Sequence, residues 1–139
     1  MEYKKISEIN TYIGQNINPS SVSEEVFEMY SVPSFESQYP EIIKGEEIGS
    51  SKQIVRKNDI LLCKINPRIN RVWMVSEFTD NKKIASSEWI VIRSNDMYPR
   101  YLMWYFRSDY FRTLMISNVT GMGGSLMRAQ PKQVQEYLV

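Results

Sequence analysis

Between residues 64 and 71 the sequence KINPRINR sets three cations, Lys64, Arg68 and Arg71, and two amides, Asn66 and Asn70, in a stretch without a carboxylate. An arginine fork can grip a phosphate or the O6/N7 edge of guanine, and an asparagine amide matches the N6/N7 edge of adenine. These residue types suit the reading of duplex DNA. The same stretch would also serve as a solvated hairpin tip, and spacing alone does not separate the two readings. Ser86, Ser87 and Glu88 form a second polar group. Glu88 can accept from a cytosine amine or act as a structural partner for an arginine of the first loop. A third lies in NVTGMGGSLMR, residues 118–128, where Gly121, Gly123 and Gly124 permit close backbone approach to a ligand. Ser125 and Arg128 there read as phosphate anchors or as a packing hinge. The segment is not a Walker loop, because no Gly-Lys-Ser/Thr follows the required spacing. Nor is it a dinucleotide fingerprint, because it follows helices rather than a strand.

Other chemistries are excluded by what the chain lacks. It has no histidine, so Ser-His-Asp and Cys-His nucleophiles and histidine-containing metal sites are ruled out. The single cysteine, Cys63, sits inside an apolar run and reads as a small core side chain. The carboxylates form adjacent doublets, Glu24-Glu25 and Glu46-Glu47, of the kind that lie on a solvated surface, and catalysis by this chain alone is not expected. The 139 residues suffice for one domain with a real core. No stretch approaches the roughly 18 apolar residues of a membrane span, no signal peptide opens the chain, and a cytoplasmic protein is expected.

The net charge of +1 is unevenly distributed. Residues 1–50 carry three lysines against nine glutamates, a net of −6, and residues 51–139 carry fourteen cations against seven acids, a net of +7. Such a chain can present a basic face to a polyanion while staying soluble.

The elements that must position these groups follow from apolar periodicity. Residues 60–63 and 72–75 are apolar runs flanking the first loop, so the segment reads as strand, polar loop, strand, with Pro67 fixing the turn. Residues 26–32 suit a strand closing at Pro33, and β-branched residues 89–92 a buried one. Residues 34–44 read as irregular and residues 80–83 as a turn. From Pro99 to Ile116 apolar residues recur at helical spacing, with Pro99 in a first turn and Ser108 as a cap dividing two short helices. Trp89, Trp104 and Phe106 are assigned to the core. Residues 131–136 add one helical turn before an apolar end, residues 137–139, expected to be exposed.

Four ordered segments carry a resemblance: ILLCKINPRINRVWMV, ASSEWIVIR, PRYLMWYFRSDYFR and TGMGGSLMRAQPKQVQEYLV, with EMYSVPSF before them. Together they span most of residues 28–139 and resemble the target recognition domain of type I restriction–modification specificity (S) subunits. The resemblance implies an α+β fold, a mixed and strongly twisted β-sheet with short helices packed on it. It implies a non-catalytic domain that reads one half of a bipartite DNA target. Methyltransferase (M) subunits would then methylate adenine, and a restriction (R) subunit would cut. S-adenosylmethionine, ATP and Mg would belong to those partners. The sequence departs from the family in having one recognition domain, no heptad helix and no Pro-Leu-Pro-Pro-like run after the last strand. A fragment, a half-subunit or a recognition domain on its own is therefore expected. The rival reading is a protein-interaction module of the same fold with an exposed apolar patch and no DNA contact.

Overall fold

The computed structural model describes residues 3–117 and 128–139. A three-stranded antiparallel sheet forms its middle layer. Strand β5 (Ile60–Cys63) lies between β6 (Val72–Met74) and β8 (Trp89–Ile92), with Leu61 opposite both Trp73 and Val91. Every residue of β5 and β8 is buried. Both faces of this sheet are covered, which is why the two strands read as unbroken apolar runs instead of alternating ones. Ile60, Leu62, Val72, Ile90 and Ile92 belong to the core shared with the helices, packed with Ile6, Leu102, Phe106, Phe111 and Met115. The intervening Leu61, Cys63, Trp73, Trp89 and Val91 turn the other way and pack with Tyr30, Val55 and Ala85. Each large side chain so buried stabilises the fold by about 1.5–3 kcal/mol.

Tyr30, Val55 and Ala85 come from a second, five-stranded sheet in the order β1 (Asn16–Ile17), β4 (Lys52–Val55), β7 (Lys82–Ala85), β2 (Val26–Tyr30) and β3 (Glu41–Lys44). Strands β2 and β7 run parallel and the other pairs antiparallel, which makes this sheet mixed. Its far face holds Phe27, Met29, Ile48 and Ile84. The expected α+β architecture of mixed sheet and short helices is present, with its strands divided between two sheets.

The helices are α1 (Ile6–Ile9), α2 (Pro99–Phe106), α3 (Asp109–Ser117) and α4 (Pro131–Val134). Proline opens both α2 and α4, where its missing N–H costs nothing. Ser108 divides α2 from α3 as expected, its Oγ accepting from the Phe111 N–H at 3.2 Å.

Four expectations need correction. Residues 80–83 are not all turn, since Lys82 and Lys83 open β7 and pair with β2. Trp104 is not in the core: it lies 66% exposed on α2, one face away from buried Leu102 and Phe106. Residues 34–44 are not wholly irregular, since they contain β3, an exposed strand whose apolar residues lack the pattern of a buried one. Val139 is buried, not exposed, and exchanges backbone hydrogen bonds with Lys4 at 2.8 and 3.3 Å.

Candidate nucleic-acid interface

The polar loop of residues 64–71 joins β5 to β6. Its tip is a turn in which the Ile69 N–H donates to the Asn66 carbonyl at 3.0 Å. Asn66 takes a left-handed φ of 45°, which asparagine tolerates, and Pro67 supplies the fixed φ the next position needs. Arg68 is thereby carried to the tip, exposed and without a hydrogen bond or ion pair among the described residues.

The base of the loop is tied on three sides. The Lys64 N–H donates to the Glu88 carbonyl at 3.0 Å, and the Lys64 carbonyl accepts from the Ala129 N–H at 2.7 Å. Asn70 Nδ2 donates to the carbonyl of Arg107, just past α2, at 2.6 Å, and Arg107 Nη2 returns a bond to the Val72 carbonyl at 3.1 Å. Arg71 folds back over the loop, donating to the Ile65 carbonyl at 3.4 Å and approaching Cys63 Sγ at 3.9 Å. Burial pushes the Cys63 thiol up from its ordinary value, with the Ile65 carbonyl region and Arg71 opposing that shift.

Two of the candidate segments, together with Arg128 at the end of the third, therefore meet at one end of the middle sheet. The turn holding Ser87 and Glu88 lies beside Lys64, and an isolated bridge pairs Ile65 with Arg128. Within this cluster the side chains differ in availability. Ser87, Arg68 and Arg128 are exposed, and Lys64, Asn66 and Glu88 half-buried, none with a side-chain hydrogen bond or ion pair among the described residues. Asn70 and Arg71 are engaged in bracing the loop. Ser86 is buried, and its Oγ has no hydrogen-bond partner among the described residues. Ser125 lies outside the described residues, as do Gly121, Gly123 and Gly124. Glu88 makes no ion pair with Arg68 or Arg71 among the described residues.

A groove of about 470 Å³ adjoins the loop, lined by Lys64, Arg128, Ala129, Gln130, Pro131 and Lys132. Lys132 was missed in the sequence because it reads as part of a terminal helical turn. Its spacing of four from Arg128 was the available signal. Larger hollows, of about 540 and 610 Å³, open at the opposite end of the sheet around Arg56, Lys57 and Tyr98. There Asp59, Glu77 and Asp96 interleave with the cations, and Asp59 is held by Arg93 at 2.7 and 2.8 Å. The groove beside the loop, with no carboxylate in its lining, is the better surface for a polyanion.

The whole chain aligns with solved structures. No protein-family model matches the sequence, and no curated protein does. The HsdS subunit from Thermoanaerobacter tengcongensis superposes with a TM-score of 0.81 at 20% identity, over 99% of this chain. The chain has the fold of an HsdS domain. A second chain, from a structural study of complex assembly and conformational transition of the type I R-M system, gives the same TM-score at 18% identity. In both cases this chain spans 37% of the neighbour's length.

Inside the HsdS-like fold, two buried carboxylates, Asp59 and Glu28, escaped the sequence reading. Glu28 is fully buried on β2 and accepts from Tyr30 Oη at 2.6 Å and from the Thr79 N–H and Oγ1 at 2.6 and 2.8 Å. Lys83 Nζ stands 3.6 Å away. Burial, then the bond to Glu28, push the Tyr30 hydroxyl far up from its ordinary value. A carboxylate between Phe27 and Met29 in an apolar strand was the signal, because a buried charge requires partners. Among the described residues, no group of three or more His, Cys, Asp or Glu is placed to hold a metal, and no helix is long and apolar enough to cross a membrane.

Proposed function

We propose that the chain is a target-recognition module of a type I restriction–modification specificity subunit. It binds duplex DNA in a sequence-dependent way and reads one half of a bipartite target. Arg68 at the hairpin tip, with Asn66, Ser87 and Glu88 beside it, reaches base edges, while Lys64 and Arg128 hold phosphates. The observation that carries this reading is the convergence of the 64–71 hairpin, the Ser87–Glu88 turn and Arg128 on one end of the middle sheet, within a fold shared with HsdS subunits. Partner methyltransferase and restriction subunits supply the chemistry, and with it the S-adenosylmethionine, ATP and Mg requirements. The chain itself contributes binding and register.

A protein-contact role has its own support. Tyr110, 66% exposed on α3, lines one hollow with Tyr3, Tyr105 and Leu138, and Tyr101, 43% exposed on α2, stacks on Tyr105; Trp104 on α2 is 66% exposed. Aromatic residues this exposed in one area mark an interaction surface. The face lies on the helical layer, so it can serve partner subunits while the hairpin end meets DNA.

The deciding experiment is a map of methylated adenines made by the assembled methyltransferase. Arg68→Ala should relax or abolish one half of the bipartite motif and leave the other half intact. An unchanged motif with undiminished methylation would exclude the hairpin tip as a reader.

A further inference from the structure

The geometry points to the groove of Lys64, Arg128 and Lys132 as a phosphate track that holds one DNA strand beside the reading hairpin. This inference rests on the DNA-binding proposal and assigns it a surface, a third cation and a measurable share of the affinity.

The groove has three cations and no carboxylate in its lining. Arg128 and Lys132 are exposed and Lys64 half-buried, and none of the three is in an ion pair among the described residues. Their charges are therefore not spent on the protein's own acids, in contrast to Arg93, which is locked to Asp59. The backbone beneath them is fixed to the hairpin: Ala129 donates to the Lys64 carbonyl at 2.7 Å, and Ile65 bridges to Arg128. Val134 and Ala129 anchor the segment in the core, 0% and 2% exposed. A strand held by this groove would thus keep a fixed register relative to Arg68. Phosphate contacts of this kind position the duplex and carry no sequence information themselves.

Each phosphate neutralised releases condensed counterions, so log K falls with log salt at about −0.9 per contact. The test uses the intact enzyme assembled with its partner subunits. Its probes are a duplex bearing its methylated motif and a scrambled duplex, titrated between 50 and 200 mM salt. Lys132→Gln should make the slope shallower by about 0.9, so that raising the salt across this range costs affinity about 3.5-fold less. The triple variant with Lys64→Gln and Arg128→Gln should cut that loss roughly 40-fold, with the preference for the motif over the scrambled duplex retained. Circular dichroism of each variant should match the parent, because the substituted ends are at the surface.

Unchanged slopes in a triple variant that still selects its motif would overturn the groove and leave the reading hairpin standing. Altered motif preference with Lys132→Gln would overturn it as well, by making Lys132 a base reader. Loss of partner-subunit assembly with no change in slope would identify the groove as a dock for an acidic protein surface instead. A parent enzyme with no preference for its motif duplex would defeat the DNA-reading proposal itself, and the groove with it.

Discussion

Arg68 and Arg71 stand three positions apart in one loop and do different work. Arg68 occupies the tip of a turn, its guanidinium free of partners among the described residues, and Arg71 spends its donors on the Ile65 carbonyl. Arg68→Ala should therefore weaken binding of the assembled enzyme to its motif duplex by about 1–3 kcal/mol, measured by equilibrium titration. The unfolding midpoint should barely move, since a surface substitution changes stability by about 0.5 kcal/mol or less. Asn70→Ala should show the reverse priority. It deletes the 2.6 Å bond to the Arg107 carbonyl, and should lower unfolding free energy by about 0.5–1.5 kcal/mol in denaturant titration. Glu28 is the residue on which most depends. Its replacement by alanine removes the only carboxylate paired with the largely buried Lys83 among the described residues, leaving that ammonium to the Thr79 and Asn81 carbonyls. It also strands the Thr79 N–H, and should cost about 3–5 kcal/mol, read as a large fall in the denaturant midpoint.

At the scale of elements, what could be read from the chain depended on how each element is buried. Strands β5, β6 and β8 were legible because both faces of their sheet are covered, leaving unbroken apolar runs beside a polar loop with proline at its turn. The helices α2 and α3 were legible from proline, serine and apolar spacing. Strand β3 was not, because three of its four residues are exposed and hydrogen bonding to β2, rather than side-chain burial, defines it. Trp104 was misplaced for a related reason. Aromatic density marks a helix as partly buried, but only the Leu102–Phe106 spacing identifies the buried face, and Trp104 lies off it. Trp104→Gln should accordingly leave the thermal midpoint nearly unchanged while weakening any partner that covers α2. The loop residues were found by type, but their division into free and bracing groups was not. Asn70 is held by Arg107, distant in sequence and adjacent in the fold, and Arg71 by the Ile65 carbonyl of its own loop.

For the molecule as a whole, the buried ionisable groups set a common direction with pH. Cys63 and Tyr30 lie in the core between the two sheets, and burial raises both above their ordinary values of 9.0 and 10.0. Both groups are neutral when protonated, so the fold favours the protonated form. Their contribution is complete below those values and is lost as the pH climbs beyond them. The denaturant midpoint should be flat from neutrality to about pH 8.5 and fall between roughly pH 9 and 11, and Tyr30→Phe should remove part of that fall. The architecture also separates two surfaces, the hairpin end of the middle sheet with its groove of three cations and an aromatic face on the helices. The central claim is that the first of these meets DNA. It is tested most directly by placing a photo-activated benzoylphenylalanine at position 68, 87 or 104 of the assembled enzyme and irradiating it on its motif duplex. Adducts with DNA from positions 68 and 87, and none from 104, are the expected result. DNA adducts from 104 with none from 68 or 87, in an enzyme that still protects its motif, would contradict it.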